Sequence, residues 1–278
     1  MLRKHSLRNI IPAIISCLLI LISPVTNIFD ISLKAESTIW TNLSSNEFST
    51  ENSEVIKFVK DTQDSSLVYF FTPQKRVFEY NGTTTTNVLD LYSDSDTSYF
   101  IDLASANNLL YLLVSDYTDT RVLLYKTEMG WNNISSLPAE ITDIYSIGTY
   151  QDKLALWLEI DDISRSMYTF DGVTWSEIST NPLATYNNAD LDSRGIYNVG
   201  GKLYLSTYNV NNSKNILFEY NGTSWSNMGM EFDYTITDVA FFANKLHIIT
   251  SDYSNPFNLL RYETTDFWVM VSEDVIFD

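Results

Sequence analysis

Cysteine and histidine are almost missing from this chain. Its 278 residues include one Cys, Cys17, and two His, His5 and His247. A disulfide framework is therefore excluded, and so are the common zinc sets built from Cys and His. Gly (9) and Pro (6) are also scarce, which rules out collagen-like and Pro/Gly low-complexity chains. Basic residues are outnumbered: 17 Lys and Arg stand against 35 Asp and Glu, for a net charge of −18. Affinity for nucleic acid rests on clustered Lys and Arg, so this balance argues against a nucleic-acid partner, and equally against an anionic membrane surface. What is abundant is apolar mass: 45% hydrophobic residues, 14% of the chain aromatic. A chain of this length can bury about 70–75% of its unfolded surface and needs no covalent staple.

Residues 1–35 read as an address. Arg3, Lys4 and Arg8 form a basic stretch, followed by an apolar run from Ile10 to Ile22. That run is shorter than the roughly 20 residues a membrane-spanning helix needs and suits the core of a helical signal peptide. Ala35 offers a small residue at the cleavage point. IISC before Leu18 resembles a lipobox, but the apolar run continues past Cys17 through Leu21, which favours a small apolar residue inside the signal over a lipidation site. Removal of residues 1–35 takes Arg3, Lys4, Arg8, Lys34 and Asp30 and leaves 13 basic and 34 acidic residues with no Cys. The expectation is a secreted, extracellular chain with no membrane span after cleavage.

Beyond residue 35 the chain repeats. FEYNGTTTTNV, LLYKTEMGWNNIS, MYTFDGVTWSEIS, LFEYNGTSWSNMG and LLRYETTDFWVMVS align. The aromatic anchors Tyr80, Tyr125, Phe170, Tyr220 and Tyr262 are spaced by 45, 45, 50 and 42 residues. Trp40, Thr85, Trp131, Trp175, Trp225 and Trp268 follow at 45, 46, 44, 50 and 43. Each unit reads as four short strands rich in β-branched and aromatic residues. In the unit from Ile141 to Ser179 they are ITDIYSIGTY, KLALWLEI, SRSMYTF and VTWSEIS, with Asp171-Gly172 as a hairpin turn. Four strands per 40–50 residues is the mark of a β-propeller blade, whose two faces must be buried against neighbouring blades. The recurrent aromatics then serve as wedges between blades.

YNGTSW and FDGVTW make the pattern similar to the kelch and galactose-oxidase-like propellers over about residues 36–278. The kelch double glycine is absent from the second strands; Gly200-Gly201 sits in the turn before one. GVTW and GTSW also resemble the Asp-box turns of sialidases, with Phe170 and Tyr220 where the defining Asp belongs. No catalytic residue carries over, and the residues for a copper site are lacking. The resemblance implies an all-β propeller of five complete four-stranded blades. STIWTNLSS near Trp40 reads as a fourth strand and Val275–Phe277 as a first strand, giving either a partial sixth blade or a five-bladed ring with extra end strands. A truncated frame, spare strands, and an arc completed by another chain compete as explanations. The domain division expected is 1–35 and 36–278.

Chemistry is sparse. His247, in KLHIITS, reads as a structural His at a blade interface. No G-x-G-x-x-G or P-loop motif is present. DLDSRG places Arg194 where a Ca²⁺ loop wants a ligand, so no metal or other cofactor is expected. The loops between second and third strands open on one rim. Ser115-Asp116-Tyr117, Ser251-Asp252-Tyr253 and Ser206-Thr207-Tyr208 echo one another there, and Asp161-Asp162 sits in the same type of loop. An aromatic beside a carboxylate can stack on a sugar and accept its hydroxyls, so Asp116, Tyr117, Asp161, Asp162, Tyr208, Asp252 and Tyr253 are the candidate ligand contacts. Ser, Asp and Asn also belong in turns for conformational reasons alone. The function expected is a non-enzymatic binding module for an extracellular protein or polysaccharide. The alternative is a secreted carbohydrate-active hydrolase or lyase using a rim carboxylate pair.

Overall fold

The computed structural model describes residues 57–62, 64, 66–91, 97–116, 118–134, 137–160, 164–178, 191–251, 258–264 and 267–272. The expected signal peptide, the Trp40 strand and the strand at residues 275–277 lie outside the described residues. Every regular element described is a strand. They form five four-stranded antiparallel sheets, each from four consecutive strands.

Blade 1 comprises β1 (Lys57–Lys60), β2 (Val68–Thr72), β3 (Arg76–Tyr80) and β4 (Thr85–Asp90). Blade 2 comprises β5 (Thr97–Ala106), β6 (Leu109–Asp116), β7 (Arg121–Thr127) and β8 (Gly130–Asn133). Blade 3 comprises β9 (Ile141–Tyr150), β10 (Lys153–Ile160), β11 (Ser164–Phe170) and β12 (Trp175–Glu177). Blade 4 comprises β13 (Leu191–Val199), β14 (Lys202–Asn209), β15 (Lys214–Tyr220) and β16 (Trp225–Phe232). Blade 5 comprises β17 (Thr235–Phe242), β18 (Lys245–Ser251), β19 (Asn258–Thr264) and β20 (Phe267–Ser272). The first strands run side by side in chain order, β1 with β5, β5 with β9, β9 with β13 and β13 with β17. The fold is a five-bladed β-propeller.

Burial follows from this arrangement. A second strand has a blade on both sides, so it reads as a continuous apolar run instead of an alternating one. Leu154–Leu158 in β10 are all buried, as are Leu110–Ser115 in β6. Outer strands face solvent along much of their length. The first-to-second-strand hairpins of blades 2 to 5 turn on two residues of positive φ: Asn107-Asn108, Gln151-Asp152, Gly200-Gly201 and Ala243-Asn244. Two successive left-handed residues make the type I′ turn that matches strand twist.

The repeated Asn/Asp-Gly is a different device from the two-residue hairpin its sequence suggests. Phe170 pairs with Trp175, which leaves a four-residue loop. The Asp171 carboxylate accepts the Val173 and Thr174 amides at 3.0 and 2.8 Å. Asn81 and Asn221 cap the corresponding loops in the same way. Gly172 follows with φ +95°, a conformation that glycine takes without strain.

Four apolar cores separate the blades. Phe71 and Val77 meet Leu103 and Leu112 between blades 1 and 2. Tyr111 and Leu123 meet Ile147 and Leu156 between blades 2 and 3. Trp157 and Met167 meet Leu205 and Phe218 between blades 3 and 4. Leu217 and Met228 meet Ile248 and Trp268 between blades 4 and 5. The wedge role of the tryptophans has a direction. Trp131, Trp175, Trp225 and Trp268 each pack towards the preceding blade. One anchor departs from the alignment. Trp131 pairs with Lys126, not Tyr125, which stands one residue earlier than the other anchors; the hairpin closes one pair further, on Glu128-Met129. A one-residue slip reverses a side chain's face, so Tyr125 packs towards blade 3 while Tyr220 and Tyr262 pack towards the preceding blade.

Candidate functional site

The starts of first strands, ends of second strands and starts of third strands share one rim. On blades 2 and 3 this rim carries a cluster drawn from four strands. Arg121 opens β7, Asp143 and Tyr145 lie near the start of β9, Glu159 near the end of β10, and Arg165 near the start of β11. The two guanidinium groups sit on the Tyr145 ring, Arg121 at 4.8 Å and Arg165 at 4.7 Å from its centroid. Stacking of this kind is favourable because the ring face is electron-rich. Arg121 Nη1 donates to Asp143 Oδ2 at 2.7 Å and to the Ile144 carbonyl at 3.3 Å. The Tyr145 hydroxyl donates to Glu159 Oε2, and Arg165 Nε lies 4.0 Å from the same oxygen. Burial and the Glu159 carboxylate push the Tyr145 phenol up to about 12. Burial also raises the Asp143 carboxyl, against the opposing pull of Arg121.

Beside this stack, Tyr99 of β5 is 45% exposed and its hydroxyl donates to Asp119 Oδ1 at 3.2 Å. Ser115 Oγ donates to the same oxygen at 3.2 Å. An accessible ring edge and a carboxylate are thereby held together, which is the pairing that recognises a hydroxylated ligand. Tyr145 already carries two guanidinium groups 4.7–4.8 Å from its ring centre.

Of the residues expected from sequence, Asp116 and Tyr208 are described; Tyr117, Asp161, Asp162, Asp252 and Tyr253 lie outside the described residues. Asp116 accepts the Thr118 amide, the Thr118 hydroxyl and the Thr120 amide through Oδ1 at 2.8, 2.8 and 2.9 Å. The Thr118 hydroxyl and these amides hold its carboxyl below the usual range. Asp116 is therefore an ionised turn cap. Counting from the type I′ turns, its counterpart in blade 4 is Asn209, whose Oδ1 accepts the Asn211 amide at 3.0 Å. Tyr208 thus corresponds to Ser115 and not to Tyr117, so the Ser-Thr-Tyr echo is one of spelling and not of position. Tyr208 is half-buried near the end of β14. Sequence reasoning missed Tyr99, Arg121, Asp143, Tyr145, Glu159 and Arg165. They are spread from 99 to 165 and share no motif.

A second polar cluster lies on the axis. Counted from the hairpins and strand registers, Lys57, Asp102, Ser146, Gly195 and Asp238 occupy one position on the five first strands. Asp102 accepts Lys57 Nζ, Ser146 Oγ (2.8 Å) and the Ile147 amide (2.9 Å), joining blades 1, 2 and 3. At Gly195 a Cβ would stand 2.7 Å from the Tyr197 hydroxyl, so Tyr197 fills that place. Burial pushes the Asp238 carboxyl up to about 7, while its own Val239 amide and the Lys57 charge act in the opposite sense. His247 is buried in blade 5 with Nδ1 3.1 Å from the Lys245 carbonyl, and burial lowers its pKa. Among the described residues no cluster of three or more His, Cys, Asp or Glu could hold a metal ion, and no helix is long and apolar enough to cross a membrane.

No protein-family profile and no curated protein sequence matches the chain. Its fold is similar to YCF48 from Cyanidioschyzon merolae, at 12% identity and a TM-score of 0.53 over 78% of this chain and 72% of that one. It is also similar to the SapL1 lectin in complex with alpha methyl fucoside, at 10% identity and 0.51 over 78% and 79%. A prolyl endopeptidase is similar at 10% identity and 0.52, over 81% of this chain but 36% of the enzyme. These identities speak for the propeller fold alone; binding proteins and an enzyme share it, and a kelch-type repeat does not follow from them.

Proposed function

We propose that the protein is an exported binding module: residues 1–35 a cleaved signal peptide, residues 36–278 a kelch-like propeller whose rim recognises a polysaccharide or protein outside the cell. The observation that carries this reading is the exposed Tyr99 ring tied to Asp119 beside the Arg121–Tyr145–Arg165 stack. The carboxylates of that stack are already engaged, Asp143 with Arg121 and Glu159 with Tyr145 and Arg165, while Asp116 caps a turn. Groups held in this way position a surface and are poorly placed to exchange protons with a substrate. Lectins among the similar folds are consistent with it. The test is a glycan-array and protein-capture screen of the purified chain. Tyr99→Ala is expected to weaken binding at least tenfold with an unchanged melting temperature; undiminished binding would remove this rim from consideration.

A second reading, a carbohydrate-active hydrolase or lyase, is favoured by one feature: burial raises the Asp143 carboxyl, as a general acid requires. Turnover of any glycan that is abolished in Asp143→Asn would establish it in place of the first.

A further inference from the structure

The wedge pattern leaves one blade face without its cover. In each of blades 2 to 5 the outer-strand Trp packs on the blade before it, and in blades 2 to 4 the residue three positions later packs with the blade after it. Ile134, Ile178 and Met228 hold that later position and are 8%, 9% and 6% exposed. Val88 holds it in blade 1 and packs against blade 2. In blade 5 it is Val271, 46% exposed. The residue ending the first strand behaves alike: Ala106 and Tyr150 are 0% and 8% exposed, Val199 is half-buried against blade 5, and their counterpart Phe242 is 43% exposed. Blade 1, next around the axis, has Thr85 where the other blades carry Trp. Among the described residues no apolar cluster joins blade 5 to blade 1.

The chain holds a spare wedge. Ile39-Trp40-Thr41-Asn42-Leu43-Ser44 reproduces the outer-strand pattern Thr174-Trp175-Ser176-Glu177-Ile178-Ser179, and Trp40 lies 45 residues before Thr85, one repeat. It carries both halves of the device, a Trp for the preceding blade and an aliphatic residue three positions on for the following one. Where the wedge hydrogen bond is described, Trp131 Nε1 donates to the Val88 carbonyl at 3.2 Å and Trp268 Nε1 to the Met228 carbonyl at 3.4 Å. Both acceptors occupy the position of Val271. The 14 residues from Leu43 to Lys57 can span about 45 Å, so reach is no obstacle.

We propose that residues 39–43 of the same chain close the seam between blades 5 and 1, with Trp40 on the Phe242–Val271 face of blade 5 and Leu43 turned towards blade 1. The segment lies outside the described residues, and the proposal stands on the uncovered face and the repeat register together. It is independent of what the rim binds.

The test uses the full chain carrying Cys17→Ser, which then has no thiol, and adds Val271→Cys. Alkylation of that thiol is expected to be at least fivefold slower with Trp40 present than with Trp40→Ser. Val173→Cys, at a site 88% exposed, serves as the reference and is expected to react equally fast in both. The protection is expected to be independent of protein concentration. A Thr41→Cys, Val271→Cys pair treated with a short bis-maleimide is expected to give a cross-link within one chain. Equal alkylation rates with and without Trp40 would overturn the proposal. So would protection that rises with protein concentration, or a cross-link between chains, either of which would assign the face to a second copy.

Discussion

The interface between blades 3 and 4 and the facing sides of blades 5 and 1 come from the same repeat, yet their chemistry differs. The first is apolar: Trp157, Met167, Leu205 and Phe218 are almost wholly withdrawn from water, and Trp225 lies tilted against Tyr220 with ring centres 5.0 Å apart. At the second, no apolar cluster joins the two blades among the described residues. Lys57 of blade 1 pairs with Asp102 of blade 2, and its charge favours the ionised form of Asp238 in blade 5, while Phe242 and Val271 stay in contact with solvent. The repeat supplies equivalent backbone positions; the side chain at each decides what that position presents, and blade 1 presents Thr85 where the other blades carry Trp.

The largest break in this contrast should come from the apolar side. Trp157→Ala removes a fully buried indole between two blades and is expected to cost about 3–5 kcal/mol, read from urea or thermal unfolding. On the axial side, Asp102→Asn takes the charge from a buried acceptor shared by blades 1, 2 and 3. Because Lys57 keeps 27% of its side-chain exposure and can be hydrated, the expected loss is smaller, about 2 kcal/mol. If both substitutions cost the same, the distinction between the two kinds of closure fails.

Asp238 sharpens the comparison through pH. Burial lifts its carboxyl from 3.8 to about 7, so the folded state favours the neutral form. The stabilisation is complete below pH 3.8 and is lost as pH rises through about 7, since the charged form must be held in a desolvated place. Lys57, Tyr197 and Asp102 are the ionisable groups that share the axis with it. Asp238→Asn is expected to remove this slope: the variant should gain melting temperature relative to the parent between pH 5 and pH 8. A constant difference across that range would detach Asp238 from the seam. The smallest effect is local. Ala243 holds φ +48° in a turn where the other blades place Asn, Gln or Gly. Ala243→Asn should stabilise by about 0.5–1 kcal/mol in equilibrium unfolding, because Asn tolerates the left-handed region better than Ala.

Much of the architecture is legible before any coordinates. Tyr80, Phe170, Tyr220 and Tyr262 recur with the tryptophans at repeat length, and all five four-strand units appear where the turns place them. Tyr125 shows the limit: aligned by spelling it is an anchor like the others, but it stands one residue before the position that pairs with Trp131, which reverses its face. The rim cluster was not legible at all. Arg121, Tyr145 and Arg165 come from three strands of two blades, and only strand order around the axis makes them neighbours. Asp116 was legible as a rim residue and as a turn former; which amides it caps was not, because they depend on the loop's backbone path.

The sequence by itself determined the blade and its number of strands, since period-45 aromatics and paired turn residues are local instructions that each unit carries alone. Only the tertiary structure decided which side of each blade a wedge faces and which charges meet on the rim and at the axis. It also decided that Phe242 and Val271 stand exposed. Those outcomes depend on register parity and on contacts between units far apart in the chain, which no single repeat encodes.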